Sequence, residues 1–316
     1  MEVTVSICMI TYNHESYIAQ AIEGVLMQQT NFQIELVIGD DCSTDNTFRI
    51  CQTYKDQYQS KIKLLSQKKN LGVRNNFLNT IHNCEGKYIA LCEGDDYWID
   101  VLKLQKQVLF LEKNYDYSLI HTNGYRNFGG KLQPWNQWDD LEGEVSKTFY
   151  YGTVVRTCSS MFRSSLLPVF FDLFENCKVQ IIGDWPLFAY LSTKGKFGYL
   201  SEHTCVYRQN PSSVSSSHFK DNFLKYSLDV VNVKRFLRDV LFQGELDELY
   251  AESILNEDVI YYNLKHSFDT WNYSNTKLYF SSNYNNIKLK SLVRFTKNHF
   301  LFYSACLYRF IIRRLK

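Results

Sequence analysis

Four short stretches hold side chains suited to chemistry. Glu93-Gly94-Asp95-Asp96 follows an apolar run. Adjacent carboxylates repel, so a cation fits between them. Hard divalent ions take carboxylate oxygens, and Mg²⁺ or Mn²⁺ keeps places for a substrate's phosphates. The same acids also fit the dipole of a helix starting near Trp98. Asp40-Asp41 closes a second apolar run, ahead of Ser43 and Thr44, which suit a helix cap. A carboxylate there can accept a hydrogen bond from a base or ribose. Thr11-Tyr12-Asn13 closes a first run, where Tyr12 can stack on a base. Asp184 precedes Trp185 and Pro186 and suits the first turn of a helix.

The elements that carry these groups alternate. Val3–Ile10, Ile34–Gly39, Ile62–Leu65 and Tyr88–Cys92 are short apolar runs that predict strands. Ser16–Gln28, Thr44–Tyr58 and Val73–Asn83 have helical spacing. This alternation predicts a mostly parallel sheet covered by helices. Ligands then bind beyond the carboxyl ends of the strands, where the polar clusters and Asn70 fall. Asn123–Asp140 is expected as a long surface loop. Helices are expected near Ser164–Asn176 and Asp184–Thr193, with a strand near Phe197–Tyr207. From Phe219 onward the spacing is helical, with a second helix expected from about Glu245 to Phe268.

Composition narrows the class. The chain has 316 residues, 45% hydrophobic and 22% charged, which excludes global disorder. Aromatic residues make up 16%, enough to leave aromatic surface for bases or sugars. The net charge is +2, yet residues 286–316 hold eight Lys and Arg and no acid. The rest of the chain carries 27 basic against 33 acidic residues, a net of −6. That balance argues against a nucleic-acid partner. The nine cysteines include no CxxC pair, and the N-terminus lacks a basic region ahead of its apolar stretch. A cytoplasmic protein with reduced thiols is expected. Neither GxGxxG nor a P-loop occurs.

Taken together, three strand ends suit base, ribose and metal-bound diphosphate. Val5–His14, Glu35–Thr47, Asn70–Val73, Gly86–Trp98 and Gly183–Phe188 resemble family 2 glycosyltransferases of the GT-A fold. The resemblance covers roughly residues 3–215. It implies a GT-A domain over 1–218, with 219–316 as a helical C-terminal region. It implies inverting transfer from a nucleotide diphosphate sugar, usually UDP-linked, to a hydroxyl of a glycan or lipid-linked glycan, in cell-surface polysaccharide synthesis. Thr11, Tyr12, Asn13, Asp41, Asn70, Arg74 and Asp95 would bind the donor. Asp95 and Asp96, or Glu93 and Asp95, would divide the ribose and metal roles, with Mn²⁺ or Mg²⁺ as cofactor. Asp184 would be the general base. Where many members have Tyr-Arg-x-His, this chain has Tyr207-Arg208-Gln209-Asn210. The missing His role would be weakened, or moved to His203 or His218.

Two other classes compete. A nucleotidyltransferase-like enzyme normally has a glycine-rich loop after the first strand, and Thr11–Glu15 has no glycine. A non-catalytic carbohydrate-binding protein would explain the aromatics but not three acidic strand ends. The segment His299–Lys316 is aromatic and aliphatic around most of its circumference and ends in Arg309, Arg313, Arg314 and Lys316. It suits either docking on preceding helices or peripheral contact with anionic lipid at the inner face of the cytoplasmic membrane.

Overall fold

The computed structural model describes residues 3–135, 141–150, 155–175, 177–180, 183–209 and 223–243. Four parallel strands form its first half. β1 (Val5–Thr11) lies between β2 (Ile34–Asp40) and β4 (Tyr88–Leu91), and β3 (Ile62–Ser66) flanks β2. The sheet then becomes mixed. β8 (Met161–Arg163) pairs antiparallel with β4 and with β6 (Tyr117–Phe128). β6 runs parallel to β9 (Lys196–Arg208), whose far edge takes β5 (Tyr97–Trp98). β7 (Lys131–Pro134) pairs with β6.

Helices cover both faces, as the alternation predicts. Val5, Ile7 and Met9 point to one face, against α1 (Ile18–Leu26), α2 (Thr47–Gln57) and α4 (Lys103–Lys113). Cys8 points to the other, against α3 (Val73–His82), α5 (Leu167–Glu175) and α6 (Asp184–Ser192). Strand side chains alternate by two, so one run of apolar residues feeds both cores. α7 (Phe223–Phe236) and the turn of π-helix after it join the second core through Val230, Val233, Phe236 and Leu237. The Asp229 carboxylate accepts the backbone N–H of Gln180 at 2.9 and 3.0 Å, fastening α7 to the segment before α6. The helix expected over 245–268 and the segment 299–316 lie outside the described residues.

Two local expectations change. Asn123–Asp140 is not a plain loop: residues 123–134 form the end of β6 and a hairpin to β7. Gly129 (φ +55) and Gly130 (φ +92) supply the left-handed turn that a two-residue hairpin needs. The helix expected near Trp98 begins at Lys103. Trp98 instead pairs with Cys205, and its indole N–H donates to the Cys158 carbonyl at 2.8 Å. A buried tryptophan needs that partner, and the need overrides helical spacing there.

Candidate active site

Parallel strands deliver their carboxyl ends to one edge, which gathers the polar clusters. The turns after β1 and β2 brace each other. Asn13 Oδ1 accepts the backbone N–H of Thr44 at 2.8 Å, and Asn13 N–H donates to Ser43 Oγ at 3.0 Å. His14 N–H donates to Thr47 Oγ1 at 2.7 Å, and Glu15 N–H donates to Asp45 Oδ2 at 3.1 Å. Asn13 (φ +55) and Cys42 (φ +62) are held left-handed, which asparagine tolerates and cysteine rarely adopts. The bracing leaves Tyr12 43% exposed at the lip of the edge, free to offer its ring.

Asp41 is buried just past the end of β2. Its carboxylate accepts Leu71 N–H at 2.6 Å and Gly72 N–H at 3.0 Å, while Asn70 Nδ2 donates to its carbonyl at 3.0 Å. Gly72, at φ +80, turns the chain into α3. An ionised carboxylate has about four lone-pair sites, so room is left for a further donor. Arg74 turns toward α5. Its Nη2 donates to the Phe174 carbonyl at 2.9 Å, and the guanidinium lies 4.6 Å from the Phe174 ring centroid.

The acidic turn after β4 rests on Thr11. Gly94 N–H donates to the Ile10 carbonyl at 2.9 Å, and a Cβ on Gly94 would stand 2.6 Å from Thr11 Oγ1. Only glycine lets the turn approach β1 so closely. Thr11 is therefore buried beneath the turn, and its hydroxyl pairs with His14 Nδ1 at 3.2 Å. Asp96 is buried, and its Oδ1 accepts the backbone N–H of Arg208 at 2.8 Å. Burial, with Asp95 and Glu93 beside it, pushes the Asp96 carboxyl well above the usual range. Asp95 and Glu93 are half-buried, and Glu93 Oε2 has no hydrogen-bond partner among the described residues. Burial pushes the Glu93 carboxyl up to about 7; a hydrogen bond from Thr157 opposes this, and the charges of Asp95 and Asp184 add to it.

Asp184 begins α6 and faces this cluster from across the edge. Burial raises its carboxyl, while the N–H of Trp185 and the charge of Arg156 pull it back. The indole N–H of Trp185 donates to the Phe149 carbonyl at 2.6 Å and anchors the start of the helix. The structure thus brings Glu93, Asp95, Asp96 and Asp184 together. Reasoning from sequence missed Thr157, Arg156 and Arg208 as members; each lies in a stretch without a motif of its own or, for Arg208, in one quoted only for its neighbour. The His203 ring lies tilted against Tyr125 with centroids 4.6 Å apart. Asn210 and His218 lie outside the described residues.

Among the described residues no group of three or more His, Cys, Asp or Glu is arranged to hold a metal ion alone. The donor set still fits Mg²⁺ or Mn²⁺, which bind through one or two carboxylates plus substrate phosphates. A buried Glu93 oxygen without a partner, next to two further acids, is what such an ion would neutralise.

The family model described as "Glycosyl transferase family 2" matches residues 6–170. The chain belongs to glycosyl transferase family 2. The matched span carries all of the strand-end clusters, and Asp184 lies beyond it. An uncharacterized protein of Mycobacterium tuberculosis is 32% identical over 223 residues, covering 68% of this chain and 62% of the relative. The chain therefore spans about three-fifths of that curated relative. The dTDP-rhamnosyl transferase RfbG of Shigella flexneri is 25% identical, covering 73% of this chain and 82% of RfbG. Staphylococcus aureus TarS 1–349, solved with UDP-GlcNAc, superposes with a TM-score of 0.57 at 19% identity, over 93% of this chain and 79% of that one. This likeness shows the GT-A fold: a mostly parallel sheet with helices on both faces.

Proposed function

We propose that the protein is an inverting glycosyltransferase that moves a sugar from a nucleotide diphosphate donor, of the UDP-sugar kind, to a hydroxyl of a glycan or lipid-linked glycan in cell-surface polysaccharide synthesis. The observation that carries this reading is the convergence of Asp41, the Glu93–Asp96 turn and Asp184 on one edge of the sheet. Relatives named for rhamnosyl and N-acetylglucosaminyl transfer support the class.

Tyr12 stacks on the base and Asp41 accepts a hydrogen bond from it, with Asn13 and Asn70 closing that side. Glu93 and Asp95 face the ribose and diphosphate. Asp95, with Asp96 behind it, would hold Mn²⁺ or Mg²⁺, which when bound offsets the charge of the leaving diphosphate. Asp184 takes the proton of the acceptor hydroxyl as it attacks the anomeric carbon. Its raised affinity for a proton suits a group that takes one. Among the described residues no helix is long and apolar enough to cross a membrane. The cationic segment 299–316 would hold a cytoplasmic enzyme against anionic lipid at the inner face of the membrane, next to a lipid-linked acceptor. Incubation with a panel of nucleotide sugars, reading donor hydrolysis, tests the assignment. Release of the nucleotide from one donor is expected, and hydrolysis of none would contradict it.

A further inference from the structure

One cation grips the acidic turn from behind. Arg208 ends β9 and is 8% exposed. Its backbone N–H donates to Asp96 Oδ1 at 2.8 Å, its Nη1 to the Asp95 carbonyl at 2.5 Å, and its Nη2 to Gln20 Oε1. Its guanidinium lies 4.4 Å from the Tyr97 ring centroid and 5.0 Å from that of Tyr17. The recorded bond to Asp95 runs to its main chain, which leaves the carboxylate outside the clamp.

We propose that Arg208 is a positioning residue for Asp95: it fixes the peptide from which the Asp95 carboxylate projects, without touching the donor. This rests on the proposed transferase reading. Glu93, Asp95 and Asp96 repel one another, so a turn carrying all three needs its backbone pinned. A planar guanidinium between two rings, bonded on two sides, has a fixed orientation that a lysine ammonium cannot copy. The same side chain reaches Tyr17 and Gln20, at and just within the start of α1, which follows the turn bearing Tyr12 and Asn13. It therefore couples the base side of the site to the metal side. Removing such an outer support typically costs about 10–100-fold in metal affinity or activity.

The test is UDP binding to the full chain, titrated against Mn²⁺, for the wild type, Arg208→Lys and Gln20→Ala. In Arg208→Lys the half-saturating Mn²⁺ concentration rises by about 10-fold or more, while UDP affinity at saturating Mn²⁺ stays close to wild type. Gln20→Ala moves the same way by less. Gln20 is exposed on α1, so this variant decides the matter if Arg208→Lys does not fold: a rise supports the proposal and no change overturns it. Loss of UDP affinity both at saturating Mn²⁺ and in EDTA would overturn it by placing Arg208 on the donor. Mn²⁺-dependent binding by the wild type with both variants unchanged overturns this inference alone. A wild type that ignores Mn²⁺ overturns the metal-assisted part of the transferase reading and this inference with it.

Discussion

The backbone N–H of Arg208 donates to Oδ1 of Asp96 at 2.8 Å, tying the end of β9 to the acidic turn after β4. Asp95, one residue earlier, is half-buried and carries no such tie on its carboxylate among the described residues, so the two neighbouring acids answer differently to substitution. Asp95→Asn is expected to abolish Mn²⁺-dependent UDP binding with little change in melting temperature. Asp96→Ala leaves a buried N–H without a partner, at a cost of about 1–3 kcal/mol, and lowers the melting temperature as well as activity. Thermal melts beside UDP titrations of both variants check this; equal stability of the two would contradict it.

Asp184→Asn keeps the shape of the first turn of α6 and removes the base. Turnover should fall by about 10²–10⁴-fold with UDP affinity nearly unchanged. Single-turnover transfer assays measure this, and turnover within a few-fold of wild type places the base elsewhere.

The pH profile follows from the same group. Burial raises the Asp184 carboxyl and Arg156 opposes the rise. A base works only when deprotonated, so activity is present above the folded pKa and is lost as pH falls through it. The acid limb of kcat/KM should thus lie above that of a free aspartate, and Arg156→Gln should move it higher still. A limb that stays put in Arg156→Gln removes Arg156 from the electrostatics of the base.

The segment 299–316 supplies a prediction from sequence alone. The full-length protein should pellet with anionic vesicles at low salt. Added salt or deletion of 299–316 should release it, with donor binding intact; each Lys or Arg near the surface contributes about 1 kcal/mol. Failure to bind, or unfolding of the truncated chain, would make the segment part of the folded body.

The first half of the fold was legible in the sequence because β1, most of β2 and β4 are buried on both faces and read as compact apolar runs. Ile34–Asp40 and Val73–His82 fall within one residue of their expected bounds. The hairpin at Gly129-Gly130 was hidden because polar residues and the exposed Phe128 and Leu132 alternate there without a buried face, so no apolar pattern announced it. Of the four acids that come together, Glu93, Asp95 and Asp96 were legible after a strand and Asp184 at a helix start. Their supports were not: Arg208 reaches the turn from β9 and Thr157 reaches Glu93 from a short 3₁₀ turn, and neither approach leaves a trace in local spacing. Arg74, expected beside the nucleotide, is engaged by Phe174, a partner that only the fold reveals.

Titration of the wild-type protein with UDP, in Mn²⁺ and then in EDTA, bears most directly on the central claim. The convergence of Asp41 with the Glu93–Asp96 turn predicts saturable binding that strengthens markedly with Mn²⁺ and weakens in Asp95→Asn to the level seen in EDTA. Binding of equal strength with and without the metal, or none at all, would contradict a metal-assisted nucleotide-sugar site.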